Sequence, residues 1–425
     1  MSQAFRQKNA LVFVLITVAI NSIGFGIMIP VLPELIRELT GLANNQTALH
    51  LAGMTFIFAL LQFICMPIAG ALSDRFGRRP VMLGSVAALS LDYLLMALAP
   101  TVALLYLGRA ISGAFGATFS TANAYISDIS PPERRAQDFG LVGAVFGVGF
   151  MLGPVLGGWL GEFGPRVPFF AASAICALNF VYGFVALPET LEPDNRRVFR
   201  WARANAVGAV RSLGRMKGVK GVIFVLFLLG IAHTAYPTTY TLTVEEQLGW
   251  GPGEVGTSLG AFGLASMIVQ GGLIRIIIPR LGLFRAAVLG MISAVTAYVV
   301  LGNAVAGWIV YAAGPFAALA GLYGPALTNM ASSDLGADEQ GELQGAIGAA
   351  QGLALMVGPL AMGGTFYLFG NADTSPIYKP GAPFLLSALL SALALAYVLV
   401  ALRKQRAAAF APADPEGIEH IHDGE

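Results

Sequence analysis

Twelve long apolar runs dominate this sequence and exclude a water-soluble fold. An α-helix needs about 20 consecutive apolar residues to cross a bilayer, and the runs are close to that length. Charged residues make up only 12% of the chain, which is about half their usual share in a soluble globular protein. The predicted spans are 10–33, 49–72, 80–99, 101–127, 139–161, 167–187, 219–243, 254–278, 285–304, 306–329, 343–369 and 381–402, with the shortest gaps at 99–101 and 304–306.

Basic residues predict how the chain is oriented. Of the 25 Lys and Arg residues, 21 lie in alternate segments that include both chain ends. The opposite loops hold only Arg37, Arg166 and Lys379, and Arg109 lies inside a span. Because cytoplasmic loops carry the excess of basic residues, both termini are predicted to be cytoplasmic. The loop 330–342 is acidic, but acidic residues contribute little to orientation.

The polar stretch 188–218 divides the spans six and six. We therefore predict an all-α membrane protein whose twelve transmembrane helices form two six-helix bundles. The connector is expected to lie on the membrane surface, with a regulatory element as the alternative. The predicted parts are an N-terminal bundle at 1–187, a cytoplasmic connector at 188–218, a C-terminal bundle at 219–403 and a disordered cytoplasmic tail at 404–425.

The sequence contains no cofactor motif. No P-loop and no cluster of His and Cys residues occurs, so neither ATP-driven transport nor hydrolysis is expected. His420 and His422 in the tail supply fewer ligands than a zinc site uses, and no metal is expected. A net charge of +1 indicates no nucleic-acid partner. The expected partners are a small-molecule substrate, protons and the lipid bilayer, and a monomer in a bacterial inner membrane is predicted.

The two halves share motifs about 205 residues apart. The Gly-Pro pair at 153–154 in span five has a counterpart at 358–359 in span eleven, each followed by a glycine pair. The sequence RFG at 75–77, after span two, has the counterpart RLG at 280–282, after span eight. A six-span unit repeated in parallel resembles the architecture of the major facilitator superfamily, in which substrate binds between the halves near the middle of the membrane.

The loop after span two, GALSDRFGRRP at 70–80, resembles the loop 2–3 signature of that superfamily. The resemblance implies a latch that favours an outward-facing state. Asp74 is expected to face the positive N-terminus of span eleven near 342–345, and Arg78 or Arg79 is expected to pair with an acid at the end of span four. A loop that only sets topology would explain the arginines but neither the acid nor the glycine. The predicted gating residues are Gly70, Asp74, Arg75, Gly77, Arg78, Arg79 and Asp128.

Three Asp, Arg or His residues lie more than three residues from either end of a predicted span, where a charge is expensive and marks function by default. Asp92 in span three is a candidate proton carrier, or alternatively a protonated donor of an interhelical hydrogen bond. Arg109 lies in a segment of span four that resembles the superfamily's motif for proton coupling; the alternative is an arginine bonded to backbone carbonyls. His233 in span seven either titrates or is a neutral group hydrogen-bonded between helices. We therefore predict proton coupling through Asp92, Arg109 and His233, with Arg109 tuning the proton affinity of Asp92.

Span five carries small residues on one helix face around its Gly-Pro pair. Small residues let helices approach closely, and a proline bends its helix. The pattern resembles the motif typical of drug:proton antiporters in the superfamily, and close packing alone is the alternative. The predicted helix-packing residues are Gly149, Gly153, Pro154, Gly157 and Gly158.

Six polar or aromatic side chains inside apolar spans are candidate substrate contacts, because facing lipid would be unfavourable for them. A mostly apolar cavity with few fixed charges predicts a neutral or weakly charged amphipathic ligand. The predicted substrate-binding residues are Asn21, Gln62, Asn123, His233, Tyr236 and Gln270.

Segments from span one to span eleven resemble the tetracycline-resistance branch of drug:proton antiporters. They include GFGIMIPVLP at 24–33, SLDYLL at 90–95 and QGELQG at 340–345. The resemblance implies export of a drug in exchange for protons.

Three positions depart from that branch. Its drug-exchanging members carry an Asp where Asn21 stands, and a His and an Asp where Ser266 and Ala294 stand. Those groups serve drug binding and proton translocation in the branch. Asn21 can hydrogen-bond a ligand but cannot carry a proton, so coupling falls to the ionisable residues named above.

The sequence therefore predicts a secondary active transporter, not an enzyme, that exports a small amphipathic compound in exchange for protons. A metabolite symporter or facilitator is one alternative. A non-transporting sensor with the same fold is another, and the latch and the antiporter motif argue against it because a sensor has no need of alternating access.

Overall fold

The computed structural model describes residues 3–116, 118–199, 219–332 and 337–409. In this part of the chain the regular structure is helical, with a short 3₁₀ turn at Pro193–Asn195 and a π-helical turn at Val269–Leu273. The α-helices are α1 (Gln3–Thr40), α2 (Asn44–Phe76), α3 (Arg78–Leu98), α4 (Val102–Phe115), α5 (Thr118–Ile129), α6 (Pro132–Gly161), α7 (Val167–Ala186), α8 (Lys220–His233), α9 (Ala235–Leu248), α10 (Pro252–Ile268), α11 (Ile274–Gly302), α12 (Gly307–Ala320), α13 (Tyr323–Ser332), α14 (Ala337–Phe369) and α15 (Ala382–Ala409).

Eleven helical stretches of the described chain are long and apolar enough to cross a membrane. The longest, Pro252–Gly302, is interrupted at Gly282, where φ is 76° and ψ is 160°. It therefore crosses twice, and the described residues make twelve crossings. Gly77 turns the chain between α2 and α3 with a similar φ of 108° and ψ of 161°. Only glycine adopts such angles readily, and the two glycines occupy equivalent places in the repeat. The predicted all-α, twelve-helix fold is confirmed.

Three crossings consist of two helices each. The fourth is broken near Gly116, the seventh at Thr234 and the tenth at Gly321. The first and last of these breaks are again 205 residues apart, so the repeat extends to the interruptions of the helices.

The predicted gaps at 99–101 and 304–306 fall where α3 and α11 end. The C-terminal prediction needs a correction, because α15 continues to Ala409 instead of becoming disordered at 404. Its last residues, KQRAAA, are strong helix formers. Connector residues 200–218 and the tail from 410, with His420 and His422, lie outside the described residues.

We call the membrane face at which α1 begins and α15 ends the terminus side, and the opposite face the far side. Two helix pairs form most of the contact between the halves: α6 with α10, and α2 with α14. Near the far side both pairs are in tight contact. A Cβ built on Gly158 of α6 would lie 3.1 Å from Gly256 Cα of α10, and one on Gly363 of α14 would lie 2.6 Å from Ala52 Cβ of α2.

Towards the terminus side the same helix faces separate. On α6 the face that contacts α10 continues through Gly143 and Gly147, where an added Cβ would meet no atom within 4 Å. On α14 the face that contacts α2 continues through Gly341, Gly345 and Gly348, which are equally open. The space between the halves is therefore closed at the far side and open at the terminus side.

Glycines let α6 approach α1 very closely. A Cβ on Gly149 would lie 2.8 Å from Ala19 O, and one on Gly153 would lie 2.8 Å from Gly26 Cα. A Cβ on Gly157 would collide with the Ile27 carbonyl oxygen of α1. Since no side chain fits between these backbones, the small-residue pattern of span five is explained by contact with α1 on one face and with α10, through Gly158, on another.

Candidate functional site

A central cavity of about 240 Å³ lies between the halves. The N-terminal half contributes Asn21, Thr55 and Gln62 to its wall, and the C-terminal half contributes Thr234 and Pro359. Most of the remaining wall is apolar and includes five phenylalanines. An apolar cavity with a few fixed polar groups suits an amphipathic small molecule.

Asp92 of α3 and Arg109 of α4 form an ion pair inside the N-terminal half. Asp92 is fully buried and Arg109 is 4% exposed. Gly108 makes room for the carboxylate, because a Cβ there would lie 2.6 Å from Asp92 Oδ1. The ion pair joins Asp92 Oδ2 and Arg109 Nη2, whereas Asp92 Oδ1 and Arg109 Nε have no hydrogen-bond partner among the described residues. Because both side chains are buried, the charges of the pair are shielded from bulk water.

Arg109 also connects the pair to the space between the halves. Its guanidinium lies over the Phe58 ring at 5.9 Å, and the residue lines a smaller cavity of about 50 Å³. That cavity shares Phe25, Thr55, Phe58 and Pro237 with the central cavity, so the two are contiguous. Its wall extends to Leu32 and Pro33, near the far end of α1. Arg109 therefore lies at the deep end of the cavity, between the central volume and the far-side closure.

The structure brings only part of the predicted substrate set together. Asn21 and Gln62 line the central cavity. Tyr236 instead lines a separate cavity within the C-terminal half. This corrects the expectation of one cavity lined by all six residues.

The remaining three predicted substrate residues line neither the central cavity, nor the small cavity beside Arg109, nor the cavity that contains Tyr236. Asn123 is half-buried on α5, and Gln270 lies in the π-helical turn with its side chain beside Gly321. The His233 ring lies 5.7 Å from the Tyr236 ring. His233 and Gln270 are exposed. The polar character of a residue in an apolar span therefore did not predict which surface its side chain faces.

The positions that depart from the tetracycline-resistance branch also separate in space. Asn21 faces the central cavity, whereas Ala294 is 2% exposed in the core of the C-terminal half. Ser266 is half-buried and lines none of the three cavities. Only the first departure alters the wall of the central cavity.

The gating motif forms a compact polar cluster on the terminus side. Arg78 pairs with Asp74 at 2.5 Å and with Asp128 at 3.0 Å. The pairing of Arg78 with Asp128 is as predicted. Asp74 does not reach α14 in this conformation, because the terminus-side faces of α2 and α14 are apart. Gly70 likewise has open space around it.

Glu189, which the sequence reasoning missed, holds this cluster in place. Its carboxylate accepts hydrogen bonds from the backbone N–H of Arg78 at 2.8 Å and of Arg79 at 3.2 Å, which satisfies the first turn of α3. A Cβ on Gly77 would collide with that carboxylate. Gly77 is therefore needed both for its backbone angles and for the space it leaves.

The far-side closure also escaped the sequence reasoning. Arg37 at the end of α1 donates to both carboxylate oxygens of Glu245 at the end of α9, at 2.6 and 3.3 Å. Asn44 donates to Glu246 at 2.9 Å. Both contacts join the two halves. Two sequence features could have predicted this closure. Arg37 is one of few basic residues on the far side, and the adjacent acids Glu245 and Glu246 follow span seven on the same side.

Two helical bundles related by an internal repeat, with a cavity between them, define a secondary membrane transporter. The chain belongs to the Major Facilitator Superfamily, whose family model matches residues 14–359. It is therefore a multi-pass membrane transporter and not an enzyme.

Individual relatives agree with this assignment. Over 355 residues the chain is 36% identical to the tetracycline resistance protein, class C, of Escherichia coli, covering 84% of this chain and 89% of the relative. The fold is similar to that of the nucleoside transporter NupG, with a TM-score of 0.76 at 9% identity, covering 94% and 99% of the two chains. It is also similar to that of the human organic anion transporter MFSD10 (TETRAN), with a TM-score of 0.66 at 22% identity, covering 92% and 99%.

Proposed function

We propose that this protein exports a small amphipathic compound across a bacterial inner membrane in exchange for protons. The observation that carries the proposal is the buried ion pair of Asp92 and Arg109 at the deep end of a cavity built by both halves. Ionisable residues inside spans mark proton or ion pathways. The similarity to tetracycline resistance proteins supports the same function.

Orientation supports export. With both termini in the cytoplasm, the open side of the central cavity faces the cytoplasm, where an exporter takes up its substrate. The small cavity beside Arg109 lies nearer the far side. Opening of the far side would therefore expose the ion pair to protons on the outside of the membrane.

Exchange follows if a proton and the substrate compete for this site. In the conformation described, an ionised Asp92 is neutralised by Arg109. A proton taken up by Asp92 from the far side would break the ion pair and favour release of the substrate. Loss of that proton towards the cytoplasm would restore the ion pair and the cavity that receives the next substrate. His233 is the alternative proton carrier. It is the last residue of α8 and directly precedes Thr234, which lines the central cavity.

The halves at 1–187 and 219–403 are proposed to rock as two rigid bodies of a monomer, joined by the connector at 188–218. Such rocking would close the terminus side and open the far side around a fixed central cavity. The gating cluster would stabilise the state that is closed at the terminus side, with Asp74 then reaching α14.

The cavity wall favours a neutral or weakly charged substrate. Around it, Asn21 and Gln62 provide hydrogen bonds, and the phenylalanines provide apolar contact. Drug-exchanging members of the tetracycline-resistance branch carry an Asp where Asn21 stands, so the wall of this cavity has one carboxylate fewer. We therefore place the substrate among drug-like amphipathic molecules that do not need an acid at that position.

The test has two stages. First, purified protein is screened for compounds that raise its apparent unfolding temperature, because a ligand that binds only the folded state stabilises it. Gln62→Leu should abolish the stabilisation, whereas Gln46→Leu, at an exposed far-side position, should leave it intact. Second, the stabilising compound is followed in proteoliposomes under an imposed pH gradient.

Movement of the compound against the proton gradient supports the proposal. Uptake that ignores the gradient would establish a facilitator instead, and movement in the direction of the protons a symporter. Binding without transport in either direction would establish a sensor.

A further inference from the structure

The C-terminal half contains a cavity of its own. It has a volume of about 230 Å³ and lies between α9, α10, α11 and α12. It shares no lining residue with the central cavity or with the small cavity beside Arg109. Nothing in the proposed transport cycle uses this volume.

The mouth of this cavity lies in the lipid-facing surface. On α12 the outward stripe includes Trp308, Tyr311 and Phe316, all more than 40% exposed. On α10 the outward stripe includes the exposed residues Ala261 and Leu264. Tyr311 and Ala261 belong both to these stripes and to the cavity wall. The opening therefore lies between α10 and α12 at membrane depth.

The interior is aromatic. The rings of Tyr236 and Phe262 are nearly parallel, with an interplanar angle of 12° and centroids 5.2 Å apart. Tyr240 adds a third ring 6.1 Å from that of Tyr236. Gly314 faces these rings from α12, and a Cβ added there would meet no atom within 4 Å. A flat ring fits such a wall better than a branched aliphatic group does.

The wall also contains hydroxyl groups with unused bonding capacity. Ser258 Oγ donates to Val255 O at 2.8 Å, so in the Tyr240–Ser258 hydrogen bond of 2.7 Å the tyrosine is the donor. Tyr240 Oη therefore keeps its acceptor capacity. The Tyr236 hydroxyl is buried with no hydrogen-bond partner among the described residues. A buried polar group without a partner is unfavourable, and a ligand carrying a polar group can relieve it.

We propose that this cavity is a second binding site, reached from the bilayer, for a small aromatic molecule that carries a hydroxyl group. Such a molecule places its ring against Tyr236 and Phe262 and donates its hydroxyl proton to Tyr240 Oη. The site lies directly behind the central cavity, because Tyr236 lines it and the next residue, Pro237, lines the central one. The proposal goes beyond the exchange cycle, and its test does not depend on transport.

The probe is a phenol that carries a photoreactive trifluoromethyl-diazirine. Protein in lipid vesicles is irradiated with the probe, and the labelled peptides are mapped with and without excess thymol. The expected result is saturable labelling of the α10 and α12 segments that line the cavity, suppressed by thymol. Gly314→Leu, which fills the cavity, should remove this labelling. Gly324→Leu is the matched control, because Gly324 is equally unhindered and lies outside the cavity.

Three results would overturn the proposal. Labelling that does not saturate and follows every lipid-facing helix would show only partition into the bilayer. Saturable labelling confined to the central cavity would assign the probe to the transport site. Labelling that persists in Gly314→Leu, and also in Ala261→Trp at the mouth, would show that the cavity is not occupied.

A second variant tests the hydroxyl specificity. Tyr240→Phe retains the ring and removes the proposed acceptor. The second probe is an analogue of the diazirine phenol that lacks the hydroxyl group. In Tyr240→Phe the apparent affinity for the phenol should fall roughly 2- to 10-fold, the usual effect of one neutral hydrogen bond. The affinity for the analogue should stay unchanged. An equal change for both probes would contradict the assigned class of ligand.

Discussion

Gly153 has a hydrogen atom where other residues carry a Cβ, and this lets α6 approach α1 closely. Gly153 lies against Gly26, and a Cβ would lie 2.6 Å from the Ile23 carbonyl oxygen. We expect Gly153→Val to lower the free energy of unfolding by about 1–3 kcal/mol, the usual effect of overpacking. Thermal unfolding in detergent measures the change.

Gly147→Val supplies the control on the same helix, since a Cβ there meets no atom within 4 Å. It should leave the unfolding temperature within about 1 °C of wild type, because it forces no backbone apart and a substitution without steric conflict changes stability little. Equal destabilisation by both variants would show that the close contact with α1 does not determine the effect of a side chain at Gly153.

At the same scale, local charge patterns in the sequence predicted some partners but not others. Asp92 and Arg109 stood out because each is a charge inside an apolar span, and the structure pairs them. Glu189 did not stand out, because the backbone it caps is 111 residues earlier in the chain. The bond from Arg37 to Glu245 joins residues 208 apart. Only the three-dimensional arrangement of the helices determines such pairs.

The ends of α1 and α9 hold the far side shut. Glu245→Gln should weaken the two-pronged contact with Arg37 and shift the population towards a conformation open at the far side. Loss of one charged hydrogen bond should destabilise the closed conformation by about 1–2 kcal/mol. The ratio of molecules open to molecules closed at the far side should then rise about 5- to 30-fold. Spin labels on the far side at Gln46 and Asp373, in a background without the native cysteines, should report a longer distance.

The control removes an ion pair that stays within one half. Glu38 pairs with Arg166 at 3.1 Å, and both residues belong to the N-terminal half. Glu38→Gln should leave the distance between the labels unchanged. A distance that is equally unchanged in Glu245→Gln would show that the bond to Arg37 does not hold the far side closed.

Whole helices were predicted better than their interruptions. Hydropathy located the crossings because a bilayer demands a minimum apolar length. It could not predict the break at Thr234 or the π-helical turn at Val269–Leu273, since these depend on packing against neighbouring helices. For the same reason, the sequence could not predict that Asn21 lines the central cavity and that Asn123 does not.

For the whole molecule, the separated faces of α2 and α14 leave the latch unengaged on the terminus side. Asp74→Asn should slow transport without lowering the amount of folded protein, because Asp74 is proposed to act in the state that closes that side. Glu133→Gln, at an exposed acid on the same side, should transport normally. Normal transport rates in Asp74→Asn would remove the latch assignment.

If the Asp92–Arg109 pair couples protons to substrate, substrate binding should release a proton from Asp92. The release is measured by adding the substrate to purified, weakly buffered protein and comparing wild type, Asp92→Asn and His233→Gln. Wild type and His233→Gln should release protons, and Asp92→Asn should release none, although it still binds the substrate. Equal proton release from Asp92→Asn and wild type would contradict proton coupling through Asp92.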